Sequence, residues 1–232
     1  MPLPDWKTTR RGFLGGGAAG AALTALAVPV AAQAPEPEPL EAYAPEFFTP
    51  EEWQFVMAAT ALLIPSGETG PGAIETRVPV FIDLQLASGF GAAEDWYMEG
   101  PHDPRADPQL GYQTPLAPAQ VYRAGIAAVN AWCGDNHGAA FAALDPDLQR
   151  QTLVALEAGE LPLPAELRDL FSLLLQNTKE GYFADPKYGG NHRMAGWIHI
   201  GFPGARASYL EWVDRHDIPY PLGPVAISGE RG

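Results

Sequence analysis

The sequence predicts an all-α fold: a single irregular helical domain with long ordered loops rich in Gly, Pro and aromatic residues. Three observations predict it. Apolar residues recur at three- and four-residue steps in several stretches, as one buried face of a helix requires. The stretches open on helix-start residues, with Pro50, Pro118, Pro146 and Pro164 placed to begin helices. No stretch alternates apolar and polar residues with period two, the pattern of a half-buried strand.

Residues 1–34 read as a targeting segment rather than as a piece of the domain. Thr9-Arg10-Arg11-Gly12-Phe13-Leu14 sets paired arginines ahead of an uncharged Ala- and Gly-rich run over residues 12–34. A positive start, a mildly apolar middle and a small-residue exit make a signal peptide, and Arg10, Arg11, Phe13 and Leu14 mark it as a twin-arginine signal. Cleavage is expected near residues 32–34. Pro35 would obstruct a cut after Ala34, which favours the cut after Ala32. Ala, Gly and Pro29 make the run a poor permanent anchor, although it is long enough to span a bilayer. Gly15-Gly16-Gly17-Ala18-Ala19-Gly20 satisfies the dinucleotide-binding pattern, but it lies inside the signal core with no strand before it, so the nucleotide reading is rejected.

Residues 35–46 form a Pro/Glu-rich tether of polyproline character. The domain is expected over residues 47–216. Thr49-Pro50-Glu51-Glu52 is a helix start with Thr as N-cap and Glu at the third position. Trp53, Val56, Met57, Thr60, Leu63 and Ile64 give that helix one apolar face, and Pro65 stops it. Gly70-Pro71-Gly72 turns into a second helix, lined by Ile74, Val78, Phe81, Ile82 and Leu86 and expected to kink at Pro79. Residues 89–117 mix Gly, Pro, Asp and aromatics in a loop long enough to suggest function or a partner. A third helix is expected from Pro118 to about Cys133 and a fourth after Asp145-Pro146. A fifth starts at Pro164 with Leu167, Leu170, Phe171, Leu174 and Leu175 in a broad stripe, and a short one spans residues 205–215. Residues 217–232 form a Pro/Gly-rich tail.

Lys and Arg total 14 against 28 Asp and Glu, a net charge of −14, and loss of the signal makes the balance more negative still. Such a chain is not a nucleic-acid binder. Cys133 is the only cysteine, so no intrachain disulfide forms; a buried inert thiol is the reading, with a disulfide to a partner as the alternative. No haem-attachment motif is present, so this chain covalently carries no c-type haem.

The five histidines form no compact ligand set. His192 and His199 flank Trp197 with Arg193 nearby; they are open either to a metal or catalytic role or to satisfying loop backbone groups. No serine stands in a nucleophile elbow. Asp83 lies on an apolar helical face, as a buried hydrogen-bonded carboxylate or as a group aimed at a ligand. No catalytic, cofactor-binding or metal residue is assigned to this chain.

Residues 177–206 hold the densest pattern. Glycines 181, 189, 190, 201 and 204 supply unusual backbone angles, and Tyr182, Phe183, Tyr188, Trp197 and Phe202 supply contact area. A rigid aromatic loop of this kind is equally an interface anchor or an internal plug. Thr178-x-Glu180-Gly181-Tyr182-Phe183-x-Asp185-Pro186-x-Tyr188-Gly189-Gly190-Asn191, then Gly196-Trp197 and Gly201-Phe202-Pro203-Gly204-Ala205, closely resembles the gluconate 2-dehydrogenase subunit 3 family. Leu62-Leu63-Ile64-Pro65, Pro71-Gly72-Ala73, Phe81-Ile82-Asp83, Gly111-Tyr112-Gln113 and Tyr122-Arg123-Ala124-Gly125 support the resemblance, which covers roughly residues 47–212.

The resemblance implies the small (gamma) subunit of a membrane-associated dehydrogenase complex that oxidises a sugar, sugar acid or alcohol. The implied partners are a large FAD-carrying subunit of the glucose–methanol–choline type, a multihaem cytochrome c and, during export, the twin-arginine translocase. It implies a non-catalytic chain that matures the flavoprotein and carries it to the periplasm, at the outer face of the inner membrane. Partner contacts are expected at Tyr182, Phe183, Asp185, Pro186, Tyr188, Gly189, Gly190, Asn191, Trp197, Phe202, Pro203 and Arg206, and in residues 89–117. The competing expectations are an autonomous periplasmic ligand-binding protein, or a metal-dependent enzyme using His192 and His199.

Overall fold

Thr49 opens the first helix, α1 (Pro50–Leu63), with a full capping box: the Glu52 amide donates to the Thr49 hydroxyl at 3.3 Å, and the Thr49 amide donates to the Glu52 carboxylate at 2.8 Å. The structure is a computed structural model and describes residues 38–232. The export signal, with Arg10, Arg11, Phe13, Leu14 and the cleavage region, lies outside the described residues, as do the first residues of the tether. Among the described residues the chain is helical, with six α-helices and no strand, as the sequence predicts.

Helix α1 buries Phe55, Val56, Ala59 and Thr60. That face is rotated from the predicted one, because Trp53, Met57 and Leu63 are only partly covered while Phe55 is enclosed against Phe141, ring centroids 4.6 Å apart. Helix α2 (Val78–Ala87) corrects the second expectation: it starts at Val78, and Pro79 falls in its first turn, where the missing N–H costs nothing, so there is no kink. Residues 72–77 are turns instead, held by the Thr76 hydroxyl on the Gly72 carbonyl at 2.8 Å. Seven of the ten residues of α2 are buried, Asp83 included.

Helix α3 (Pro118–His137) runs four residues past the predicted end at Cys133. Gly134 does not stop it; Gly138 does, at φ 78°, in the left-handed region that glycine enters freely. Helix α4 (Pro146–Glu157) is capped by Asp145, whose carboxylate accepts the amides of Asp147 and Leu148. Pro164 begins only a 3-10 turn (Ala165–Leu167), and α5 follows as Leu170–Phe183. The helix expected over residues 205–215 is a single 3-10 turn, Leu210–Trp212; Ala205 and Arg206 bond instead to the Val225 and Gly223 carbonyls of the tail. The short helix α6 (Ala195–Ile200) lies in the loop between α5 and the tail.

Helix α5 is the hub and touches each of the other five helices, α2 most extensively. Leu170, Leu173 and Leu174 enter the main core with Val56, Phe81, Ile82, Ile126 and Val129, each such side chain contributing about 2–3 kcal/mol by burial. Gly125 of α3 allows Leu170 in: a Cβ there would stand 2.7 Å from a Leu170 methyl carbon. The polar groups inside are matched. The Tyr122 hydroxyl donates to Asn177 at 2.9 Å. Asp83 accepts four hydrogen bonds, from the Tyr43 hydroxyl and the amides of Glu46, Phe47 and Phe48, at 2.7–3.0 Å. A fully buried carboxylate therefore fastens the segment before α1 onto α2, the hydrogen-bonded role among those open to it. Among the described residues no helix is long and apolar enough to cross a membrane.

Candidate partner interface

The last turn of α5 delivers the motif onto α2. Gly181 has no Cβ, and one placed there would meet the Phe81 ring at 2.9 Å, so the two helices approach closely at this point. Tyr182 turns inward and its hydroxyl donates to the Pro71 carbonyl at 2.8 Å; burial, reinforced by Glu75, holds that hydroxyl above its usual pKa. Phe183 turns outward, and its carbonyl accepts the Trp197 indole N–H at 2.7 Å.

Asp185 then acts twice. One carboxylate oxygen caps the 3-10 turn Pro186–Tyr188 through the Lys187 amide at 3.2 Å, and the other accepts the Ile227 amide at 2.6 Å, forty-two residues on. Gly190 presses its backbone on Gly181, where a Cβ would lie 2.2 Å from the carbonyl oxygen. Asn191 is buried at φ 45°; its amide nitrogen donates to the Ala184 carbonyl and its oxygen accepts the Gly196 amide, both at 2.8 Å. Arg193 and Met194 continue in the left-handed region at φ 54° and 56°. A run of such angles persists only where the surroundings over-determine it. Those surroundings include Trp197, Met194 and Ala226, which form a second small core.

The tail completes the assembly. Residues 203–205 and the tail exchange backbone hydrogen bonds, Ala205 to the Val225 carbonyl at 2.7 Å and Val225 to the Pro203 carbonyl at 3.3 Å, and the tail closes on itself through Ala226 to the Glu230 carbonyl at 2.9 Å. Arg206 donates to the Gly223 carbonyl and lies over the Tyr220 ring, 5.2 Å from its centroid. The Trp197 and Phe202 rings meet edge to face at 5.2 Å.

The structure thus brings the twelve expected interface residues into one assembly and divides them. Tyr182, Asp185, Gly190, Asn191 and Trp197 are buried, while Pro186, Gly189, Pro203 and Arg206 are half-buried. Phe183, Tyr188 and Phe202 are exposed. Ile198, Ile200 and Ile227 are exposed beside them and were not among the twelve. Their signal in the sequence was present: apolar residues on both sides of His199, in a helix too short to bury them all.

His192 is half-buried, its amide donating to the Thr76 carbonyl at 3.1 Å, whereas His199 is exposed with its ring over Gly70. Among the described residues no three His, Cys, Asp or Glu side chains gather as a metal-binding group. In the 89–117 loop, Trp96 packs edge-on against Phe90 and Tyr112, and the Thr114 hydroxyl donates to the Glu166 carbonyl at 3.0 Å. Tyr97 and Leu110 stand out from it into solvent. Cys133 is buried, and that burial raises its thiol pKa against the opposing hydrogen bond with Thr152. An open groove of about 710 Å³ lies between the 40–45 segment and α1, lined by Leu40, Tyr43, Trp53, Met57 and Ala142 among others.

No curated protein and no solved structure matches the chain. The sequence profile of gluconate 2-dehydrogenase subunit 3 matches residues 50–204, from the first residue of α1 through the glycine-rich aromatic motif. With about two thirds of its length under that match, the chain belongs to the gluconate 2-dehydrogenase subunit 3 family.

Proposed function

We propose that this chain is the non-catalytic small subunit of a periplasmic, membrane-associated FAD-dependent dehydrogenase oxidising a sugar, sugar acid or alcohol. It clamps the folded flavoprotein before export, carries it through the twin-arginine translocase and stays bound outside, with a cytochrome c as the further partner. Membership of a dehydrogenase-subunit family supports a role inside a complex. The Arg10-Arg11 signal supports export of a folded cargo.

The observation that carries the reading is how the family motif spends its polar groups. Asp185, Asn191, the Trp197 indole and the Tyr182 hydroxyl all bond to backbone groups of the chain itself. The motif builds a rigid platform and turns apolar rings outward, which suits holding a protein better than transforming a substrate.

The test is co-expression of this chain, tagged, with its flavoprotein, with and without Arg10→Lys/Arg11→Lys. Both polypeptides and FAD-dependent dye reduction are expected in the periplasm, and the double substitution is expected to strand both inside. Export of an active flavoprotein in the absence of this chain contradicts the escort role.

A further inference from the structure

Exposed apolar area and charge are both unevenly distributed along this chain. Of the fourteen large apolar side chains exposed among the described residues, eleven fall within residues 183–227. Residues 186–232 carry Lys187, Arg193, Arg206, Arg215 and Arg231 against Glu211, Asp214, Asp217 and Glu230. Residues 38–185 carry six basic residues against twenty-two acidic ones. The acidic region keeps a chain away from other acidic bodies; the C-terminal region is where apolar area meets almost no net charge.

Within the C-terminal region one set of exposed apolar side chains is rigidly backed. Phe183, Ile198 and Phe202 are 43%, 53% and 44% exposed around Trp197, which donates to the Phe183 carbonyl and meets the Phe202 ring edge to face. Ile200 ends the same helix, and Ile227, whose amide Asp185 holds, is exposed on the returning tail. Backbone closures behind it, at Gly190 on Gly181 and Gly196 on Tyr182, leave little freedom to be lost on docking.

We infer that Phe183, Ile198, Ile200, Phe202 and Ile227 form the docking face for the large dehydrogenase subunit, which meets them with an uncharged apolar patch. The inference rests on the accessory-subunit reading above. Charge decides the occupant. A second copy would bring two strongly acidic bodies together, and an anionic lipid surface would repel the same body. The family's place in a dehydrogenase complex supplies a different protein to fill the face.

The test uses the full chain co-expressed with the large subunit, tagged on this chain, and measures the Kd of the purified pair. Ile198→Asp and Ile200→Asp are expected to weaken binding at least about tenfold. Val154→Asp, equally exposed on α4 but outside this set, is expected to leave it unchanged. A photo-crosslinking residue at Ile200 in the otherwise unchanged chain gives the answer even where an aspartate variant fails to fold; it is expected to link to the large subunit. Cross-linking from position 154 and none from 200 overturns the assignment of this face while leaving the accessory role intact. Links from 200 to a second copy or to lipid overturn the named occupant. Failure of the unchanged chain to capture any large subunit overturns both readings together.

Discussion

At Asn191 the backbone sits at φ 45° with the side chain buried, and two hydrogen bonds hold it there. Asparagine tolerates the left-handed region better than most residues and here also satisfies two buried backbone groups. Asn191→Ala is expected to cost about 3 kcal/mol and lower Tm by roughly 6–12 °C, read by calorimetry. Two glycines separate space from conformation. Gly190→Ala drives a methyl into the Gly181 carbonyl and is expected to cost about 3 kcal/mol or more. Gly201→Ala, at φ 70° with open space around it, is expected to cost only about 1–2 kcal/mol. Cys133 gives a chemical readout: buried and raised in pKa, its thiol is expected to resist alkylation in the native chain and react on unfolding, as followed by mass spectrometry. Rapid native labelling contradicts its placement.

Among the elements, helix starts are legible in the sequence because their signals are local. Thr49 with Glu52, and Asp145 with the amides of Asp147 and Leu148, contain donor and acceptor within four residues. Pro79 misleads because a proline in the first turn and one in mid-helix look alike until the helix start is known. The 205–215 stretch misleads because the carbonyls that hold its start, at Gly223 and Val225, lie beyond it. Asp83 can be named but not assigned from sequence, since its four donors lie 35–40 residues away. The same limit hides the tail: nothing near Ile227 announces that Asp185 holds it. That link is testable. Asp185→Ala is expected to speed hydrogen exchange at Ala205, Val225, Ala226 and Ile227 while α1, α3 and α4 keep their protection. Unchanged exchange in the tail shows that Asp185 is not its fastening.

Over the whole molecule, α5 both centres the core and ends in the motif, so the stability of the bundle and the rigidity of the proposed face depend on one helix. Sequence alone leaves the aromatic loop balanced between plug and anchor because residue type does not say which way a ring points. The geometry divides the rings: Tyr182 and Trp197 close the interior, while Phe183 and Phe202 stay outside. The acidic body keeps the subunit dispersed, and its apolar area is concentrated where a partner is proposed to cover it. The most direct test is to isolate the tagged chain from the periplasm without denaturant and record its size and visible spectrum. The expected result is co-elution with a larger polypeptide carrying flavin absorbance, lost on Ile198→Asp. Recovery of the chain alone, without flavin and still fully folded, contradicts the claim that it exists to hold a dehydrogenase.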